Sequence, residues 1–97
     1  MSRDDVLKRL MQNRGALRKF GVRRLGLFGS CARNEATLAS DLDFLVELDH
    51  KTFDAYMGLK VFLEDLYGCN VDLVIEDNLK PLLRPHVLKD LVYAEGI

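Results

Sequence analysis

Two stretches of the chain place apolar residues at every second position, and two others repeat apolar residues at helical spacing. From Asp41 to Leu48, Leu42, Phe44, Val46 and Leu48 oppose Asp41, Asp43, Leu45 and Glu47, the period of a strand with one face on a core. Val71 to Glu76 repeats the pattern, with Val71, Leu73 and Ile75 opposed to Asp72, Val74 and Glu76. Val22 to Phe28 reads as an earlier strand that stops at Gly29-Ser30, after which Cys31 to Ala36 is expected to form a short helix. Near the N-terminus, Ser2 and Asp5 have capping-box spacing, and Val6, Leu7, Leu10, Met11, Leu17 and Phe20 fall near one helical face. A helix over about 3–20 follows, with a joint near Asn13 as the alternative, because Asn13 and Gly15 weaken its middle. Thr52 or Asp54 opens a second long helix carrying Phe53, Tyr56, Leu59, Phe62, Leu63 and Leu66, closed by Gly68. A last helix is expected from Pro85 to Leu91, with an extended tail at Val92-Tyr93. The element order predicts an α/β (α+β) fold, a small sheet of three or four strands with helices packed on it.

The chain has 97 residues, 48% hydrophobic and 30% charged, which suits one domain over 1–97 and excludes low-complexity disorder. So small a core is expected to hold only several kcal/mol of net stability, at roughly 0.05–0.15 kcal/mol per residue, so a partner subunit is plausible. Charge interrupts every apolar run, so neither a signal peptide nor a membrane span is expected and the cytoplasm is the expected compartment. Cys31 and Cys69 lack the number for a disulfide framework and the spacing of a zinc site, and are read as reduced thiols. Charge is unevenly distributed: residues 1–34 carry nine Lys or Arg against Asp4 and Asp5, and the remainder carries five basic and thirteen acidic residues. The basic third could face phosphates or an acidic partner and the acidic part could hold cations, or both could be solvated helix faces.

Asp41 and Asp43 lie two apart at the head of a strand, so their carboxylates share a face at a backbone spacing of about 6.6 Å. Like charges so placed repel unless a cation lies between them, and carboxylate oxygens are the natural ligands of a hard divalent ion. If the third strand lies beside the second, Asp72 joins the same face. The three acids then converge where Gly29-Ser30 ends the first strand, a turn whose amides and hydroxyl suit phosphate oxygens. Taken singly, a Gly-Ser turn is most often only a turn, and an Asp-x-Asp pair is most often a solvated face. Together they suit phosphoryl or nucleotidyl transfer. Glu35, Glu47 and Glu76 are alternative ligands, with Glu47 read as a surface charge. His50 and His86 have no partner at ligand spacing.

The stretch GSCARNEATLASDLDFLVE, Gly29 to Glu47, resembles the signature of the DNA polymerase beta nucleotidyltransferase superfamily, and VRRLGLF and VDLV resemble its first and third strands. The chain is most similar in character to short bacterial and archaeal nucleotidyltransferases of the MNT antitoxin type, commonly paired with HEPN-domain RNase toxins. The resemblance implies a nucleotidyltransferase fold with a mixed sheet, and Asp41, Asp43 and Asp72 as catalytic residues ligating two Mg²⁺ ions. It also implies that Gly29 and Ser30 bind the triphosphate of ATP, with Arg33 and Ser40 as further nucleotide contacts; Arg33 could instead pair with Glu35. The implied reaction is transfer of AMP to a hydroxyl, usually a tyrosine, of a HEPN-type toxin in a hetero-oligomer. Larger relatives append a domain that grips the acceptor, so here the acceptor is expected to come from elsewhere. The acidic surface argues against direct nucleic-acid binding, and no membrane partner is expected. A non-catalytic module that neutralises its partner by binding, and a transferase acting on a small molecule or RNA end, remain as other readings.

Overall fold

In a computed structural model that describes residues 1–35, 37 and 41–97, the chain folds around a four-stranded mixed sheet of order β3-β2-β1-β4. The strands are β1 (Val22–Phe28), β2 (Leu42–Leu48), β3 (Val71–Ile75) and β4 (Val92–Tyr93). β2 and β3 run parallel, while β1 is antiparallel to both β2 and β4. The parallel pair requires a crossover, which α4 (Phe53–Tyr67) supplies. The Thr52 side chain accepts from the Ala55 N–H to start it, and Gly68 in the left-handed conformation ends it.

The N-terminal helix divides at the joint the sequence allows, into α1 (Arg3–Gln12) and α2 (Arg14–Lys19). Its start is closed by the reciprocal Ser2–Asp5 capping box. Val6, Leu10 and Leu17 from these helices and Leu59, Leu63 and Tyr67 from α4 cover one face of the sheet. They meet Leu25, Leu27, Leu42, Phe44, Val46, Val71 and Leu73 there. Tyr67 donates its hydroxyl proton to the Val6 carbonyl across this core at 2.7 Å, which ties α4 to α1.

The opposite face carries the acids. In register, Phe28 stands beside Asp43 and Asp43 beside Asp72; one step along, Gly26 stands beside Leu45 and Leu45 beside Val74. Leu45, expected to point outward with the acids, does so but is only 1% exposed, because the C-terminal segment folds back over that part of the face. A Cβ on Gly26 would stand 2.6 Å from Leu91 Cδ1 and 3.1 Å from Tyr93 Cδ1. Gly26 therefore makes room for the returning chain.

The helix expected over 31–36 is instead α3 (Gly29–Ala32). Gly29, at φ +74°, turns the strand directly into the helix, and Asn34, at φ 58°, breaks the continuation. The last helix, α5 (Arg84–Asp90), holds Pro85 in its first turn. β3 stops at Ile75, and Glu76–Asn78 forms a 3-10 turn. Cys31 and Cys69 are both free thiols. Among the described residues no helix is long and apolar enough to cross a membrane.

Candidate active site

The parallel pairing of β2 and β3 places Asp43 and Asp72 side by side on one face. Asp43 is part-buried, and its pKa is pushed up to about 6, first by burial and then by the charges of Asp72 and Asp41; Arg33 pulls weakly the other way. Asp41, exposed just before β2, thus acts on the same point in space as Asp72. In-register pairing sets Asp43 beside Asp72, and the charge of Asp41 reaches Asp43.

Gly29 closes the other side. A Cβ there would overlap Asp43 Oδ2 and lie 3.1 Å from Asp43 Cγ. Glycine is thus required both by its positive φ and by the carboxylate against it. Ser30 follows in the first turn of α3, where no side chain caps the free amides, and its carbonyl accepts from the Glu35 N–H at 2.8 Å. Arg33 forms ion pairs with both Glu35, at 2.9 Å, and Asp90 of α5, at 2.6 Å. Ser40 lies outside the described residues.

Between α5 and the turn at Gly29 opens a cavity of about 460 Å³ lined by Phe28, Gly29, Arg33, His86, Lys89 and Asp90, among others. Lys89 and Asp90 carry no motif, and His86 has no partner at ligand spacing along the chain; the one available signal is the three-residue spacing of His86 and Lys89 on a helix. A smaller hollow of about 390 Å³ beside Phe53, Tyr56 and Ile75 includes none of the predicted site residues.

The other expected ligands are already engaged. Glu47 pairs with Arg24 at 3.0 Å, and Glu76 meets Arg24 and Arg84 at 3.5 and 3.8 Å. The basic first third is also largely consumed internally. Arg3, Arg9, Arg14 and Arg18 donate to backbone carbonyls, and Arg23, Arg24 and Arg33 pair with carboxylates.

The convergent donors are all carboxylate oxygens, which suit a hard cation such as Mg²⁺, an ion that takes one or two carboxylates and completes its shell with water and substrate phosphates. Among the described residues no three acid, His or Cys side chains are already closed around a common centre. The formed element is the Asp43–Asp72 pair, side by side in register on β2 and β3. Carboxylates that hold a cation beside an uncapped Gly-Ser turn can bring a phosphate chain and an attacking oxygen together.

The chain is similar to a solved minimal nucleotidyltransferase at 36% identity, with a TM-score of 0.80 and 95% of each chain covered. It is 40% identical over 77 residues to the protein adenylyltransferase MntA of Thermococcus cleftensis, a match spanning 78% of each chain. Its fold also matches, at TM-score 0.66 and 20% identity, a chain from the complex of a tri-AMPylated Shewanella oneidensis HEPN toxin with its MNT antitoxin, covering 94% of this chain and 73% of that one. Residues 10–94 match the nucleotidyltransferase domain, and the chain belongs to that family.

Proposed function

We propose that this protein is a Mg²⁺-dependent adenylyltransferase that moves AMP from ATP to a hydroxyl, a tyrosine by preference, on a HEPN-type toxin, and so acts as its antitoxin. The observation that carries this reading is the in-register Asp43–Asp72 pair, with Asp41 acting on it, set directly against the Gly29 turn. The naming of the Thermococcus relative as a protein adenylyltransferase, and the AMPylated toxin in the Shewanella complex, support the choice of donor and acceptor.

Asp41 and Asp43 would hold two Mg²⁺ ions, with Asp72 as ligand of the one nearer the acceptor. Bound there, the metal offsets charge on the attacking and leaving oxygens. The turn at Gly29-Ser30, with Arg33 and Ser40 as further contacts, holds the triphosphate so that its α-phosphorus faces the acids. The acceptor oxygen bonds to that phosphorus as the bond to the bridging oxygen of the β-phosphate breaks. Pyrophosphate leaves, and the hydroxyl proton passes to the exposed carboxylate of Asp72.

The test is to incubate the protein with ATP, Mg²⁺ and the protein encoded by its neighbouring gene, then weigh the intact neighbour. A gain of one or more AMP masses, lost in Asp41→Asn/Asp43→Asn, is the expected result. An unmodified partner that is silenced equally well by the double variant would establish neutralisation by binding alone. Pyrophosphate release without the partner would point to a small-molecule or RNA acceptor.

A further inference from the structure

The carboxylates lie on one side of the Gly29 turn, and a cluster of basic side chains lies on the other. Arg33, His86 and Lys89 line the cavity beside Gly29 together with one acid, Asp90, which Arg33 already engages at 2.6 Å. Among the described residues the side chains of His86 and Lys89 make no hydrogen bond or ion pair, whereas Arg33 is engaged by both Glu35 and Asp90, so Lys89 is the charge lining the cavity that meets no protein group. A triphosphate whose α-phosphorus sits at Asp43 has its two outer phosphates left to place. Gly29, which borders both Asp43 and the cavity, is the point of passage between the two.

We infer that α5 forms the second wall of the nucleotide site. Lys89 and His86 join Arg33 in holding the β- and γ-phosphates, and Asp90 is a positioning residue that keeps the Arg33 guanidinium at the cavity rim. This rests on the nucleotidyl-transfer reading and extends it to a helix outside the Gly-Ser and Asp-x-Asp motifs. Charge-assisted contacts to phosphate are among the stronger polar interactions, and Lys serves them as a point charge. The same helix thereby selects triphosphates over monophosphates.

The test measures equilibrium binding of ATP, AMP and pyrophosphate to the full chain with Mg²⁺. Lys89 is exposed, so Lys89→Ala leaves the fold intact. It is expected to weaken ATP and pyrophosphate about tenfold, the loss of one such contact, with AMP binding unchanged and Lys89→Arg restoring most of the loss. Asp90→Asn is expected to raise KM for ATP with little change in kcat, and Asp90→Glu to reverse it. Equal losses for ATP and AMP would assign the cavity to the base or ribose and overturn the inference, as would unaltered ATP binding. A wild-type chain that binds neither ATP nor pyrophosphate would instead remove the nucleotidyl-transfer reading beneath it.

Discussion

The acid-bearing face of the sheet has two ends built from the same strands and the same kind of side chain, with opposite electrostatics. At one end the charges of Asp72 and Asp41 press on Asp43, with Arg33 pulling the other way. At the other, Glu47 is met by Arg24 and Arg23, and Glu76 by Arg24 and Arg84, with Arg24 also lying 4.5 Å from the centre of the Tyr93 ring. Between them lies an apolar divider, Gly26–Leu45–Val74 in register, with Leu91 packed on Gly26. Carboxylates matched by arginines contribute to holding the fold together. Those left to repel one another hold free energy in reserve for a cation, so the absence of a counter-ion, and not the presence of acid, distinguishes a site from a surface.

The largest effect should come from removing that repulsion. Asp43→Asn is expected to lower AMP transfer to the partner by roughly 1,000-fold or more, about 4 kcal/mol of transition-state stabilisation, read by the partner's intact mass over time. The same change should make the metal-free domain more stable by about 1 kcal/mol, after allowing for solvent screening of a half-exposed group. The pH dependence has a defined sign. The folded pKa of Asp43, about 6, lies above its ordinary value of 3.8, so the folded chain binds the proton more tightly than the unfolded one. Stability of the metal-free protein should therefore fall as pH rises from about 4 to 6. In Asp43→Asn this decline should flatten. A variant that loses stability at neutral pH would show that the carboxylate is structural and that the contrast between the two ends is mistaken.

Gly29→Ala tests the same end through shape. A non-glycine residue at this positive φ costs about 1–2 kcal/mol, and the added methyl also displaces the Asp43 carboxylate. Transfer is expected to fall about 10- to 100-fold, since an ångström of misplacement is enough for that, with a lower unfolding temperature. Metal affinity should fall with it, measured by Mn²⁺ titration as a stand-in for Mg²⁺.

The end with unpaired acids was largely legible in the sequence, and its surroundings were not. The period of two fixed which face carries Asp41, Asp43 and Asp72, because the pleat leaves a strand residue only two directions. Gly29 announced the turn. The burial of Leu45 and the cavity wall at Lys89 and Asp90 depend on a segment that returns some 45–60 residues later, and a strand's own periodicity carries no information about what covers its second face. The uneven charge pointed to a basic flank, but Arg3, Arg9 and Arg18 are spent on the carbonyls of Ala32, Leu66 and Gly96, partners that charge counting cannot reveal. Arg33 pairs with Glu35, as local spacing allowed, and also with Asp90, 57 residues away.

The divider between the two ends should be the next most sensitive point. Gly26→Ala drives a methyl into Leu91 Cδ1. Because that atom is the end of a flexible side chain, the expected loss is moderate, about 1–2 kcal/mol by denaturant unfolding. Leu91→Ala alone should also destabilise, by opening a cavity. The double variant should lose less than the sum of the two, since each change relieves the other. Simple additivity would mean that the C-terminal segment does not rest on Gly26.

The smallest effect is expected at the paired end. Glu47→Gln leaves Arg24 its contact with Glu76 and its position over Tyr93, and part-exposed ion pairs contribute at most about 1 kcal/mol. Stability should fall by no more than that, and less in high salt, which screens the lost pairs. AMP transfer should match the wild type within about twofold, because Leu45 and Val74 separate this end from the acids and no unpaired charge is created near them. Glu47 and Asp43 occupy the same face of the same strand four residues apart, so the two substitutions differ only in whether an arginine is already present. A loss of transfer in Glu47→Gln approaching that of Asp43→Asn would mean that the whole acidic face, and not its unpaired end, holds the metal.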